Sequence, residues 1–212
     1  MTSYQRLSPV LFSTGPVKTE NRDNWTVVLE YKGEGNGPWL IDLSHRSKWD
    51  IQDDKIAEIK PWEIAVPEKP GQCLLENGVL INRMNRTQAS IWHLSGDRLK
   101  TPDNPAYTDT TDATLFLALV GKQAFSITEK LTSLDFSDPE KKAPFLLQGP
   151  LSHVPCQVVV LEKNNDSGTV LLTCSRGYAH DMVKAILEAG EEFGLCPAGE
   201  SVFGHQLKGL PM

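Results

Sequence analysis

The chain has 212 residues, 40% hydrophobic and 23% charged, and its 27 acidic against 21 basic side chains leave a net charge of −6. Its cations are scattered, which excludes the clustered basic footprint of a nucleic-acid-binding surface. No run approaches the roughly 20 apolar residues that span a bilayer, and the N-terminal stretch lacks the continuous apolar core of a secretion signal, so a cytoplasmic protein is expected.

Residues 24–32, NWTVVLEYK, are rich in β-branched and aromatic side chains and run into GEGNGP, the pattern of a strand and a turn. A second strand is predicted at residues 39–43, then a polar turn holding Asp42, Ser44, His45 and Arg46, then a third strand at residues 48–52. DDKIAEI, residues 53–59, predicts a short Asp-capped helix ended by Pro61, and a proline-rich linker follows. GVLINRM (residues 78–84) and QASIWHLS (residues 88–95) flank Asn85-Arg86-Thr87 as a hairpin.

Residues 96–109 are polar and twice broken by proline, which marks a connection. Beyond it the order starts again. A strand is predicted at residues 112–121 and a helix at residues 122–133, with Ala124, Ile127 and Leu131 on one face. Strands at residues 156–163 and 168–175 form a second hairpin around a turn at residues 164–167. In residues 178–193 Met182, Val183, Ile186, Leu187 and Phe193 follow the helical period, and Gly194 stands where a helix is capped.

Asp42-x-Ser44-x4-Trp49 falls on Asp109-x-Thr111-x4-Phe116 at a shift of 67 positions. The fold class expected is therefore α+β, a single domain over residues 1–212. It consists of two similar strand-helix-hairpin halves, at about residues 24–96 and 108–195, that share a mainly antiparallel sheet, with a short polar tail at residues 196–212.

The polar turn invites a catalytic reading, since a Ser–His pair can serve as nucleophile and base. Adjacent residues leaving a strand point to opposite faces, however, which separates Ser44 from His45. Asp and Ser two apart on a turn instead suit bonds to the local backbone, leaving His45 and Arg46 as candidates for ligand contact. Cys73, Cys156, Cys174 and Cys196 are too widely spaced for a zinc or iron–sulfur site and read as core thiols. Cys73, in KPGQC, has a nearby lysine as its one activating feature. Arg83 and Arg86, three apart on a hairpin, face opposite sides and make no anion clamp. Ser175 and Gly177 precede a helix, a position suited to capping it and also to holding an anion. No dinucleotide, Walker, nucleophile-elbow or zincin motif occurs.

GPWLIDLSHRSKWDIQ resembles the segment near the start of the folate-binding glycine cleavage T-protein (aminomethyltransferase) superfamily, where an apolar strand, an Asp-Leu-Ser-His turn and a second strand follow in that order. Within it the gamma subunits of heterotetrameric sarcosine oxidase are similar in length and layout. SPV at residues 8–10, NGVLINRMNRTQASIWHLSGD, TDTTDATLFLALVG, HVPCQVVVLEK and CSRGYAHDMVKAILEAGEEFG resemble successive pieces of that family. The resemblance implies the fold of the N-terminal folate-binding region of aminomethyltransferase. It also implies an accessory subunit without independent activity, in a complex of methylated-amine and one-carbon metabolism whose larger oxidoreductase-type subunits carry the cofactors.

Two departures bear on chemistry. The C-terminal barrel of the aminomethyltransferases has no counterpart here, and Ile81 and Asn82 stand where their folate-activating acids are expected. A carboxylate missing at that position removes electrostatic help from the reacting nitrogen. The sequence therefore assigns no catalytic residue, no metal and no cofactor of its own. An alternative keeps tetrahydrofolate as a ligand between the halves, with Asp42 or Asp109 replacing the missing acid, as an aminomethyltransferase-like enzyme or carrier; a second is a stand-alone binding module for another flat molecule. The candidate ligand contacts are Asp42, His45, Arg83, Asp109 and Tyr178.

Overall fold

Several runs are apolar at consecutive positions, and such runs suit strands buried on both faces. β9 (Thr114–Lys122) is the clearest case, with every residue from Leu115 to Val120 buried. The computed structural model describes residues 4–96, 98–164 and 167–209, so the turn expected at residues 164–167, the polar connection and the tail are each described in part.

The described residues form thirteen strands and three helices. In chain order the strands are β1 (Pro16–Arg22), β2 (Trp25–Tyr31), β3 (Trp39–Asp42), β4 (Lys48–Gln52), β5 (Cys73–Glu76), β6 (Val79–Arg83), β7 (Gln88–His93), β8 (Tyr107–Asp109), β9, β10 (Phe145–Leu151), β11 (Val154–Lys163), β12 (Ser167–Ser175) and β13 (Cys196–Ala198). The helices are α1 (Ala124–Glu129), α2 (Ala179–Gly190) and α3 (Glu200–Leu207).

The strands make a mainly antiparallel, strand-rich α+β fold, but the single shared sheet expected from the sequence is not what they build. One sheet has the order β5-β6-β7-β4-β8, a second the order β10-β11-β12-β9-β3-β13, and β1 pairs with β2 in a separate ribbon. The physical reason lies at the polar turns. β3 pairs with β9, and after the Asp42 turn the chain enters β4, which pairs with β7 and β8 in the other sheet. Read from β5 and from β10, the first five strands of the two orders correspond, with β3 and β8 each lying in the sheet of the other stretch of chain, and β13 is a sixth strand without a counterpart.

Alternation along each strand sorts side chains into three apolar layers. Phe116, Ala118 and Val120 of β9 meet Leu80 and Trp92 of the five-stranded sheet in a core between the sheets. Leu115, Leu117 and Leu119 point the other way, towards Ile127 of α1 and Met182, Val183 and Ile186 of α2. The outer face of the five-stranded sheet, with Trp49, Ile51, Val79 and Ile81, is covered by Ile56, Ile64 and Val66 instead of a helix.

Two further expectations are corrected. Residues 53–59 form a single 3-10 turn, Ile56–Glu58, in place of a helix, because Pro61 follows at once and the segment's apolar groups are needed flat against the sheet. Residues 196–207 are no free tail. β13 pairs in parallel with β3, and α3 buries Phe203 and Leu207 in the core between the sheets. The closing helix ends as its sequence predicts, with Gly194 in the left-handed region at φ 71°.

Candidate functional site

Asp42 ends β3 with its carboxylate turned back on its own chain. Oδ1 accepts the Ser44 backbone N–H at 2.9 Å, and Oδ2 accepts the Ser8 hydroxyl at 2.5 Å. Ser44 is fully buried, and its Oγ accepts the N–H of Phe116 at 3.2 Å. Asp109 makes the same turn, with Oδ1 accepting the Thr111 N–H at 2.9 Å, and its other oxygen meets Arg98 at 3.1 Å. Burial would raise the Asp109 pKa, but the bonds from Thr111 and Arg98 outweigh it and hold the carboxyl below its ordinary value.

His45 leaves the turn on the opposite side from Ser44 and meets a residue with no local signal in the sequence. Its Nε2 lies 2.7 Å from Oε1 of Glu200, at the start of α3. Arg46 and Arg22 each reach the same buried carboxylate at 2.5 Å. Burial alone would raise the Glu200 pKa; the His45 hydrogen bond and the charges of His45, Arg46 and Arg22 bring it down to about 2. A cleft of about 490 Å3 opens beside this cluster, bordered by Arg22, Asp23, His45, Arg46 and Arg98. Its charges are interleaved: Arg98 pairs with Asp23, and Arg6 bridges Asp23 at 2.5 Å and Asp112 at 2.6 Å.

On the far side of the Asp42 turn lies a groove of about 430 Å3, between the N-terminal segment and β2. Val10, Phe12, Trp25, Val27 and Tyr31 form its walls, and Asp42, His45 and Ala198 reach it as well. Burial, reinforced by the charges of Asp42 and Glu34, pushes the Tyr31 hydroxyl up to about 12, so it remains a neutral phenol. Beneath the turn, Lys48 is fully buried and donates to the carbonyls of Ser44 at 3.0 Å and Arg46 at 2.9 Å. Burial lowers its pKa to about 7, against the opposing fields of Asp42, Asp109 and Asp112.

Asp42 and His45 thus border one groove, whereas Arg83, Asp109 and Tyr178 do not line it. Arg83 is buried at the end of β6 and donates to the Arg86 carbonyl at 2.5 Å, while Nε and Nη1 find no partner. Tyr178 stands exposed in the 3-10 turn before α2. Asn82, where the folate-activating acid of the aminomethyltransferases is expected, is fully buried and donates to Ser90 at 3.3 Å. Burial raises the Cys73 thiol pKa, against a nucleophilic role. Cys156 and Cys174 are buried in the core under α2.

Ser44 is committed to Phe116 and His45 to Glu200, so the turn assembles no nucleophile with its base. Among the described residues no group of three or more His, Cys, Asp or Glu is placed to hold a metal ion, and no helix is long and apolar enough to cross a membrane. The groove supplies what binding requires, an apolar channel with a few fixed polar groups.

No known protein-family model matches the sequence, and no curated protein does. In fold the chain is similar to one chain of a solved structure, the heterotetrameric sarcosine oxidase from Corynebacterium sp. U-96 in complex with pyrrole 2-carboxylate. The TM-score is 0.54 at 13% sequence identity, over 73% of this chain and 84% of that one. The likeness is one of fold. Because 73% of 212 residues equals 84% of the matched chain, the matched chain is the shorter of the two.

Proposed function

We propose that this protein is an accessory subunit, similar to the gamma subunit of sarcosine oxidase, of a hetero-oligomeric cytoplasmic complex in methylated-amine and one-carbon metabolism. Its partners are larger oxidoreductase-type subunits that carry the cofactors. The observation that supports this reading is the fold shared with a chain of a heterotetramer, over 73% of this chain and 84% of that one. The corner at Asp42 supports it from the side of chemistry, because its hydroxyl and imidazole are both spent on internal contacts. In evolutionary terms, the proposal is that the two matching sheet orders descend from a duplicated half.

The test is recovery from the native host under mild conditions, with native mass spectrometry of the product. The expected result is a defined assembly containing a larger dehydrogenase-like chain. A lone monomer at cellular concentration would overturn the reading.

One observation favours a second reading, tetrahydrofolate binding with Asp42 in place of the missing acid: Asp42 and Trp25 border the same groove. Trp25 then reports occupancy. Titration with tetrahydrofolate should change the tryptophan emission if this reading holds, and an unchanged spectrum at high micromolar ligand rules it out.

A further inference from the structure

We propose that the groove beside β2 is the docking site for an extended segment of a partner subunit, apolar on its flanks and carrying one lysine or arginine that reaches Asp42. The proposal rests on the hetero-oligomer reading above and names the surface through which it operates.

β2 is bordered by β1 on one edge only. Its other edge carries a single parallel bridge, Arg6 to Trp25, with the Arg6 N–H donating to the Asn24 carbonyl at 2.9 Å. Past that bridge the N-terminal segment leaves β2, and the groove fills the gap between them. At the far end the Tyr31 N–H is taken by Glu34 at 2.7 Å. Between the two points the second edge of β2 pairs with no strand among the described residues. Gly199 packs against the β2 backbone at Leu29, so the stretch open to pairing is Thr26 to Val28, which lines the groove. A free strand edge flanked by an apolar channel is the arrangement that binds a peptide by strand addition, main chain for affinity and side-chain pockets for selectivity.

The exposed apolar residues gather at the same place. Five large hydrophobic side chains are exposed among the described residues, and four of them, Tyr4, Leu7, Leu11 and Val17, belong to the segment that walls the groove or its immediate continuation. They are 62% to 86% exposed, and Leu7 and Leu11 sit on the groove itself. Apolar groups concentrated around one channel mark an interaction surface, unlike the same number scattered singly.

Charge decides the occupant. Asp42 is a half-buried carboxylate among Val10, Phe12 and Val27, and its partners are the Ser8 hydroxyl and the Ser44 N–H; no cation pairs with it within 4.0 Å among the described residues. Lys48, which feels the field of Asp42, is buried beneath the turn with its donors on the Ser44 and Arg46 carbonyls, so the face of Asp42 that borders the groove is left to a cation from the partner. A small amine would answer Asp42 but leave the strand edge and the exposed leucines bare. A second copy of this chain, paired edge to edge about a two-fold axis, would set one acidic groove against another. An extended heterologous segment with a single basic side chain meets all three features.

The test begins with the complex from the native host, in which p-benzoylphenylalanine replaces Leu11 in one preparation and Lys55, an exposed residue outside the groove, in another. Cross-links from position 11 should fall on one contiguous stretch of the co-purifying subunit that holds a Lys or Arg among apolar residues. A synthetic peptide of that stretch should then bind the isolated protein and perturb Trp25 emission. Asp42→Asn, which keeps the turn's acceptor, should weaken that peptide at least about tenfold, and Leu11→Asp should do likewise on a side chain whose change leaves the core intact. Replacing the peptide's basic residue by Gln should weaken wild type but not Asp42→Asn.

A chain recovered alone overturns the hetero-oligomer reading and this one with it. A complex that does form, but whose position-11 cross-links fall on a second copy of this chain or are no more localised than those from position 55, overturns the docking surface alone. Unchanged peptide affinity in both variants does the same.

Discussion

Ser44 and Thr111 each accept a hydrogen bond from the strand that follows the other. The Ser44 hydroxyl takes the N–H of Phe116 in β9, and the Thr111 hydroxyl takes the N–H of Lys48 in β4, at 3.2 and 3.0 Å. Both hydroxyls are buried, so removing either leaves a backbone donor without a partner. Ser44→Ala and Thr111→Val should each lower stability by about 1–3 kcal/mol, while Thr111→Ser should cost much less. Urea unfolding of the three variants measures this directly. Equal midpoints for Thr111→Val and Thr111→Ser would show that the hydroxyl contributes nothing.

The two turns repeat at the spacing seen in the sequence, with Arg46 bonding back to Leu43 as Ala113 does to Thr110. The strands that follow are offset by one residue: Leu43 donates to the Phe116 carbonyl as Thr110 donates to that of Lys48, both at 2.9 Å, so Phe116 answers to Lys48 and not to the Trp49 of the sequence overlay. The turns were legible, because an Asp two residues before a Ser or Thr writes its turn locally. The exchange of β3 and β8 between sheets was not legible: β3 is buried at its centre and shows no alternation to say which neighbour it prefers, and β8 is three largely exposed residues with no apolar pattern at all. β1 escaped reading for the opposite reason: PVKTENR is polar and almost wholly exposed, with no apolar face to find. Glu200 was invisible because its partners, Arg22, His45 and Arg46, come from distant positions and only the fold assembles them. The apolar positions of α3, few and interrupted by Gly204, made a docked helix look like a tail.

That docking gives a sharp prediction at Gly199. A Cβ placed there would run into the backbone carbon and oxygen of Leu29 in β2, and neither can swing aside as a side-chain tip can. Gly199→Ala should therefore separate α3 from β2 and destabilise by about 1–3 kcal/mol or more. Gly204→Ala, in open space on the same helix, should be neutral or mildly stabilising. Thermal melts of the pair test this; a neutral Gly199→Ala would mean that the C-terminal segment does not seat on β2.

Glu200 makes acid stability measurable. Its pKa is depressed to about 2 from an ordinary 4.5, so its contribution is full above pH 4.5 and is lost as the pH falls from there towards 2. The amount at stake is about 3 kcal/mol. Stability measured from pH 7 down to pH 3 should fall more steeply in wild type than in Glu200→Gln, which is less stable at neutral pH and has no such charge to lose. Parallel curves in the acid range would mean that the His45, Arg46 and Arg22 contacts do not hold the carboxylate in its charged form.

Lys48 gives the opposite slope on the alkaline side. Its folded pKa is about 7 against an unfolded 10.5, with burial as the leading cause. Below pH 7 both states hold the proton, and the folded state bears the cost of a buried charge. Between pH 7 and 10.5 the unfolded chain binds one proton more than the folded chain, so stability rises with pH across that window, by at most about 1.4 kcal/mol per unit. The amine keeps its two donor bonds to the Ser44 and Arg46 carbonyls when neutral, so the turn need not open as the charge is lost. Lys48→Met removes the titration and should flatten the curve from pH 7 to 9.5, whatever it does to stability at a single pH by stranding those carbonyls. Urea unfolding of both proteins at several pH values in that range reads the difference in slope. A wild type no steeper than Lys48→Met would show that Lys48 stays protonated in its pocket, with Asp42, Asp109 and Asp112 compensating the burial.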